Sequence, residues 1–409
     1  MGLLFPECKA ISLVEYRTRH LEEKLRLYER SFKTVLVVGA RQVGKTTLAR
    51  AIAKRWRRGG VTVFDLEESS DRARLEDPML ALKELKGLVV LDEIQRLPEV
   101  FRTLRVLADR PQRRTQFLVL GSASPDLLKQ SSESLAGRIM YHELKGFSLE
   151  EVGTRRLKQL WLRGGFPRSL LARSNELSFE WRRTFMRTFL ERDLPQLGVQ
   201  IPSQTLGRFW TMVAHYHGQI WNASEFARSF GVADTTIRRY LDVMISTYVM
   251  RQLLPFSENL GKRQIKSPKV YIADSGLLHA LLNLHDMVDL EGHPKVGASW
   301  EGFAMDAVIR QLGARAEECY FWGTHSGAEL DLLVVRGRHR LGFEFKRTVA
   351  PKVTRSMREA IRDLSLERLD VIHAGESTFP LADRIRAVAL TQITGELTPK
   401  KKAAGRRLR

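Results

Sequence analysis

The sequence predicts an α/β chain whose first third is built on a largely parallel sheet. Three observations predict it. Short apolar runs recur at intervals, helical stretches separate them, and a glycine-containing loop joins the first run to the first helix. In order, Tyr16 to Tyr28 mixes charged and apolar residues at helical spacing. Thr34-Val35-Leu36-Val37-Val38 is apolar and rich in β-branched residues, as a buried strand requires. A helix from about Lys45 to Trp56 follows the loop. Val61 to Leu66, Leu88 to Leu91 and Phe117 to Leu120 supply three further strands. Beyond Gly146 the pattern turns helical through residue 200, with aromatic and basic residues mixed (Trp161, Phe179, Trp181, Arg182, Arg183, Phe185). A second unit is expected from about 203 to 290, and a third, again mixed α/β, from about 295 to 397.

Lys plus Arg is 67 and Asp plus Glu is 47 in 409 residues, a net charge of +20. That excess points to a polyanion partner, most often nucleic acid. Six of the charges sit in the tail (Lys400, Lys401, Lys402, Arg406, Arg407, Arg409), which reads as a basic disordered segment. Two cysteines, Cys8 and Cys319, exclude a disulfide scaffold and a cysteine-rich zinc site. No apolar run is long enough to span a membrane, and the N-terminus lacks a basic-then-apolar leader pattern. A cytoplasmic chain without a membrane partner is the expectation.

Gly39-Ala40-Arg41-Gln42-Val43-Gly44-Lys45-Thr46, followed by Thr47, fits G-x-x-x-x-G-K-[ST] in full, after a strand and before a helix. The two glycines let successive backbone N–H groups point at phosphates, and the helix N-terminus adds partial positive charge. Lys45 is placed to reach the outer phosphates of ATP and Thr46 to ligate Mg²⁺. Leu88-Val89-Val90-Leu91-Asp92-Glu93 is an apolar strand ending in two carboxylates. Asp92 would bind the metal and Glu93 would orient or deprotonate the attacking water. Phe117 to Leu120 runs into Gly121-Ser122-Ala123-Ser124, where Ser122 either senses the outer phosphate or simply begins a turn. Arg138, in Leu135-Ala136-Gly137-Arg138, offers a cation for the developing charge, in cis or from a neighbouring subunit.

Residues 222 to 241 carry helix-turn-helix punctuation. Ser224 is the expected cap, Phe226, Ala227 and Phe230 are the apolar face, Gly231 is the turn, and Val232 is expected to tuck beneath it. A second helix opens at Ala233 or Asp234 and buries Ile237, Leu241 and Met244. Thr235, Thr236, Arg238 and Arg239 then face outward, towards DNA. Leu253 to Ser257 and Lys269 to Ala273 would form a wing around a basic loop with Lys262, Arg263 and Lys266. The alternative is a helical module for protein contacts.

Further on, Glu301 begins a helix running towards Leu312. Asp331 lies in Glu329-Leu330-Asp331-Leu332-Leu333 and Glu344 in Phe343-Glu344-Phe345-Lys346. Residues two apart share a strand face, so Glu344 and Lys346 point together, and a hairpin turning at Arg336 to Arg340 brings Asp331 beside Glu344. Asp331 and Glu344, with Glu301 completing the shell, would hold Mg²⁺, and Lys346 would position water. This is the D…E-x-K arrangement of phosphodiester cleavage. Outward-facing strand charges give the same pattern without chemistry.

The order of parts resembles a bacterial and archaeal family of AAA-type ATPases with a C-terminal domain of unknown function. The resemblance spans about residues 10 to 395. It is carried by the 39–47 loop, Leu91-Asp92-Glu93-Ile94-Gln95, Gly121-Ser122-Ala123-Ser124, Leu135-Ala136-Gly137-Arg138 and Arg163-Gly164-Gly165-Phe166-Pro167. Glu191-Arg192-Asp193-Leu194, Thr236 to Leu241, Ala273-Asp274-Ser275-Gly276-Leu277 and the Glu301, Asp331, Glu344, Lys346 set complete it. It implies a P-loop ATPase parallel sheet with a helical lid, followed by a winged helix and a restriction-endonuclease-like α/β domain. The expected blocks are 1–146 (ATPase core), 147–202 (lid), 203–294 (winged helix-turn-helix), 295–397 (nuclease-like) and 398–409 (tail). It further implies ATP hydrolysis with Mg²⁺ and a homo-oligomer. Three functions follow: a DNA-remodelling ATPase acting on duplex or branched DNA, an ATP-controlled DNA-binding switch, or an ATP-dependent endonuclease.

Overall fold

The computed structural model describes residues 18–28, 33–110, 115–122, 135, 137–257 and 265–397. They fall into two compact units. One joins the described residues up to 147 with 164–201 and 240–250; the other joins 148–163, 202–239 and the described residues from 251 onward. The expected lid, 147–202, contributes to both units; the expected nuclease-like segment, 295–397, lies in the second, and the expected winged-helix segment, 203–294, lies there except for 240–250.

In the first unit, β1 (Thr34–Gly39), β2 (Val61–Asp65), β3 (Gly87–Asp92), β4 (Thr115–Ser122) and β5 (Ile139–Glu143) form a sheet in the order β2-β3-β4-β1-β5. Every pairing in it is parallel. β1 and β3 are buried at every position, which explains their unbroken apolar runs. Leu36, Val38, Val89, Leu91 and Val119 form the core with Phe64, Phe101 and Leu104. The register places Gly39 beside Ser122 and Asp65 beside Asp92, so all four stand at the C-terminal edge of the sheet. β5 has no apolar run in the sequence because it is an edge strand with alternating burial.

The second unit is built on a nine-stranded sheet among the described residues. Its strands are β6 (Gln219–Ile220), β7 (Met250–Pro255), β8 (Lys269–Ile272), β9 (Cys319–Gly323), β10 (Glu329–Arg336), β11 (His339–Lys346), β12 (Arg368–His373), β13 (Phe379–Ala382) and β14 (Ile385–Ala389). The order is β13-β14-β12-β11-β10-β9-β7-β8-β6. The two strands expected as a wing are therefore neighbours, as read. They are not a separate hairpin, because β7 also pairs in parallel with β9 through Leu254 and Tyr320. An unpaired strand edge is a row of unsatisfied N–H and C=O groups, and the C-terminal sheet satisfies it here. β10 and β11 form the expected hairpin, turning at Gly337 with φ 61°.

The helix-turn-helix segment consists of Ala223–Phe230 and Asp234–Ser246. Gly231 takes the left-handed turn at φ 65°, and the Val232 N–H closes it on the Ala227 carbonyl at 3.1 Å. Two details differ from expectation. Ser224 is no cap, since its hydroxyl donates to Asp234 Oδ2 at 2.6 Å. Val232 contributes its backbone while its side chain is exposed. Among the described residues no helix is long and apolar enough to cross a membrane.

Candidate functional site

The phosphate loop is shaped by its backbone. Gly39 (φ 154°), Gln42 (φ 61°) and Gly44 (φ 104°) depart from the usual right-handed or extended angles. A Cβ on Gly39 would run into the Leu144 carbonyl. The loop ends in the helix Lys45–Arg55, whose first-turn N–H groups face the loop. Lys45 is buried and donates to the carbonyls of Gly39 (3.0 Å) and Ala40 (3.1 Å). Burial pushes its ammonium pKa down, while Glu93 and Asp92 pull it back up. The Thr46 hydroxyl donates to Asp92 Oδ2 at 2.7 Å, so the hydroxyl and the carboxylate expected on one metal already stand together. Burial lifts Asp92 to about 6, opposed by the Thr46 hydrogen bond.

Glu93 has a left-handed backbone (φ 55°), and its N–H donates to Asp92 Oδ1 at 2.9 Å. Its side chain accepts from the Gln95 amide and lies 3.5 Å from the Ser122 hydroxyl. The Ser122 N–H donates to Gln95 Oε1 at 3.1 Å. Ser122 thus sits with Glu93 rather than in a plain turn. A pocket opens here, lined by Gly39, Ala40, Arg41, Gln95, Ser122, Phe189 and Asp193. Arg41 is paired with Asp193 and with Glu67 (3.0 Å), and donates to Gln196 at 3.0 Å. Asp193 closes a π-helical turn, Phe189–Asp193, inside the Glu191-Arg192-Asp193-Leu194 motif. Sequence reasoning had matched that motif without giving it a role. Thr47 is exposed on the loop helix.

Arg138 is not brought to this cluster. It precedes Ile139, which pairs with Thr34 at the opposite end of β1. Five residues of strand separate Thr34 from Gly39, about 17 Å at the usual rise. Its guanidinium pairs with Asp109 at 2.5 Å. The cis alternative for Arg138 is therefore corrected by parallel register.

The second cluster lies on the nine-stranded sheet. The hairpin pairs Leu332 with Phe343, which puts Asp331 and Glu344 on the next rung. Lys346 Nζ lies 2.8 Å from Glu344 Oε2 and 3.8 Å from Asp331 Oδ2. The Phe345 N–H donates to Asp331 Oδ2 at 3.0 Å. Glu301 joins from the helix Val296–Leu312 and accepts from the Tyr271 hydroxyl at 2.7 Å. Sequence reasoning missed Lys269, Tyr271 and Glu329. Lys269 is paired with Glu329 and lies 3.6 Å from Glu301 and 3.8 Å from Asp331. The available signal was the alternation in Lys269-Val270-Tyr271, the same period-two pattern as Glu344 and Lys346. Burial pushes Glu344 and Glu301 well above the usual carboxylate range. The carboxylates around Lys269 and Lys346 hold both ammonium groups above their ordinary values despite burial.

The Mg²⁺ expected on Glu301, Asp331 and Glu344 does not fit this set. Among the described residues no three acidic, histidine or cysteine groups are placed to hold a metal ion. Ammonium groups stand beside the oxygens it would need. Of the residues expected to face DNA, Thr235, Arg238, Arg239 and Lys266 are exposed and Thr236 is half-buried. Lys262, Arg263 and the basic tail lie outside the described residues.

A parallel sheet with this loop, Asp92 and Glu93 at its C-terminal edge defines a P-loop ATPase unit of AAA type. Residues 31–153 match the family model described as an AAA domain. Residues 154–287 and 296–393 match two domains of unknown function, DUF8612 and DUF4143. The chain is 50% identical over 383 residues to the uncharacterized protein Rv2008c of Mycobacterium tuberculosis, covering 94% of this chain and 86% of that one. It matches the uncharacterized protein Mb2031c of Mycobacterium bovis to the same extent. The chain belongs to the family of these two proteins. It is also similar to the Walker-type ATPase PABY2304 of Pyrococcus abyssi, at 16% identity and a TM-score of 0.45, over 65% of this chain and 96% of that one. The nine-stranded sheet draws strands from both domains of unknown function.

Proposed function

We propose that this protein is an Mg²⁺-dependent, ATP-hydrolysing AAA-type enzyme that binds DNA and uses the hydrolysis cycle to remodel what it holds. The observation that carries the reading is the convergence of Lys45, Thr46, Asp92, Glu93 and Ser122 at the C-terminal edge of the parallel sheet, with Lys45 on the loop carbonyls, Thr46 on Asp92 and Ser122 beside Glu93. Lys45 and the loop N–H groups bind the phosphates, and Thr46 with Asp92 holds the ion. Bound there, Mg²⁺ supplies charge neutralisation on the phosphate oxygens. Glu93 takes the proton of the attacking water, and Gln95 and Ser122 fix the Glu93 carboxylate. Arg138 acts, on this reading, at the site of a neighbouring copy, which makes the active form a homo-oligomer.

DNA binding rests on the +20 net charge and on the exposed Thr235, Arg238 and Arg239 at the start of the second helix of the turn. The nuclease-like set belongs to the DNA-gripping part, since its charges are matched within the chain.

The test is ATP turnover with and without duplex and four-way-junction DNA. Glu93→Gln is expected to keep ATP affinity and to lose turnover by about 100-fold or more. Full turnover in that variant sinks the assignment. Arg238→Ala with Arg239→Ala is expected to weaken DNA binding and lower the salt slope by about 2. Unchanged affinity means the helix faces another partner.

A further inference from the structure

Lys269 is an ammonium on an apolar strand, only 4% exposed. A buried ammonium persists only with matched partners. Its Nζ is paired with Glu329 Oε1, lies 3.6 Å from Glu301 Oε1 and 3.8 Å from Asp331 Oδ1, and stands 5.6 Å from the Phe321 ring centre. Glu329 and Asp331 are two apart on β10 and so share the face that meets Lys269. On the other side, Lys346 takes Glu344 Oε2 and Asp331 Oδ2. Both oxygens of Asp331 are therefore engaged by ammonium groups, and Oδ2 also accepts the Phe345 N–H. Glu301 Oε1 is shared between Lys269 and Tyr271.

We propose that Lys269 is the resident cation of this carboxylate cluster, standing where a phosphodiester-cleaving site would hold a divalent metal, so that the domain engages DNA without cutting it. Mg²⁺ or Mn²⁺ needs a near-octahedral set of oxygens at about 2.1 Å. The oxygens that Asp331 and Glu301 would offer already answer to ammonium groups within 4 Å, and a second cation would be repelled by both. The sequence pattern that reads as a metal site is complete in Asp331, Glu344 and Lys346. What alters its chemistry is a lysine contributed from β8, outside the pattern.

The experiment is Mn²⁺ titration of the full chain without nucleotide, followed by electron paramagnetic resonance and calorimetry. The proteins are the wild type, Asp331→Asn, Lys269→Met and Lys269→Met with Asp331→Asn. Wild type and Asp331→Asn are expected to bind the same amount of Mn²⁺, which leaves Asp331 out of any site. Lys269→Met is expected to gain a further Mn²⁺ site, about tenfold or more tighter than anything Asp331 contributes in the wild type. Adding Asp331→Asn removes it. Wild-type Mn²⁺ that Asp331→Asn releases overturns the proposal. So does a Lys269→Met protein with unchanged circular dichroism and no new site. Should Lys269→Met fail to fold, Lys269→Gln takes its place, and the wild-type comparison with Asp331→Asn still decides. Duplex or junction DNA cut by the wild type with Mn²⁺, and left intact by Asp331→Asn, also overturns it. The ATPase reading is untouched by any of these outcomes, because none of the substituted residues touches the phosphate loop.

Discussion

Lys45 in the first unit and Lys269 in the second are both buried, at 5% and 4% exposure, and they differ in what holds them. Lys45 leans on two backbone carbonyls, Gly39 and Ala40, next to a cavity. Among the described residues no carboxylate is ion-paired with it, so its charge is available to an incoming anion. Lys269 is surrounded by carboxylates, and its charge is spent within the chain. The difference lies in the backbone. Glycines at 39 and 44 hold the phosphate loop open in angles that other residues rarely adopt, whereas β8, β10 and β11 bring side chains into mutual contact on a flat sheet. Lysine beside acidic residues is one composition with two outcomes. A site for a ligand leaves polar groups facing a cavity; a closed charge set satisfies them internally.

The sharpest way to break this comparison is Lys45→Ala. ATP turnover should fall by about 1000-fold with stability nearly unchanged, since no ion pair is lost. Measured kcat and Tm check both halves, and a large fall in Tm would place Lys45 in the same class as Lys269. Removing Lys269 should do the reverse. Lys269→Met is expected to lower stability by about 3 kcal/mol in denaturant titration, because it strands buried carboxylates, while ATP turnover stays within about twofold.

A smaller effect concerns pH. Burial raises Glu344 to about 8 from an ordinary 4.5, and Glu301 to about 7. A carboxylate raised on folding favours the native state where it is protonated. Its contribution is complete below about pH 4.5 and is lost as pH climbs through about 8. The second unit should therefore melt at a lower temperature at pH 9 than at pH 6, and Glu344→Gln should shrink that gap. A gap that is unchanged in Glu344→Gln would assign the pH dependence elsewhere. The smallest expected effect is Asp193→Asn. It frees Arg41 from a partner beside the cavity, and ATP affinity should shift by about threefold with kcat little changed. Equal change in KM and kcat would make Asp193 part of the chemistry instead.

Much of the first unit was legible. Complete burial makes β1 and β3 uninterrupted apolar runs, and the glycine spacing of the loop has a single physical use. β5 was not legible, because an edge strand with alternate exposure reads as Ile-Met-Tyr-His-Glu, without a run. In the second unit the Asp331–Glu344 rung followed from period two and a short turn at Gly337. Lys269 did not follow, because nothing local to residues 269–272 announces which strand they join. The reading of Leu253 to Ser257 and Lys269 to Ala273 as a wing hairpin did not include the pairing of β7 with β9, for the same reason. Hairpin neighbours are local in sequence, while the parallel pairing of β7 with β9 joins residues 66 positions apart, Leu254 and Tyr320.

By itself, then, the sequence determined the phosphate loop, the carboxylate pair after β3 and the hairpin of the C-terminal sheet, because each depends on spacing within a few residues. Only the tertiary structure decided that Arg138 stands at the far end of β1, that Asp193 reaches Arg41, and that Lys269 enters the carboxylate cluster. Those three depend on parallel register and on contacts between distant segments. Local propensity carries no information about either, and burial of charge is settled only when the partners meet.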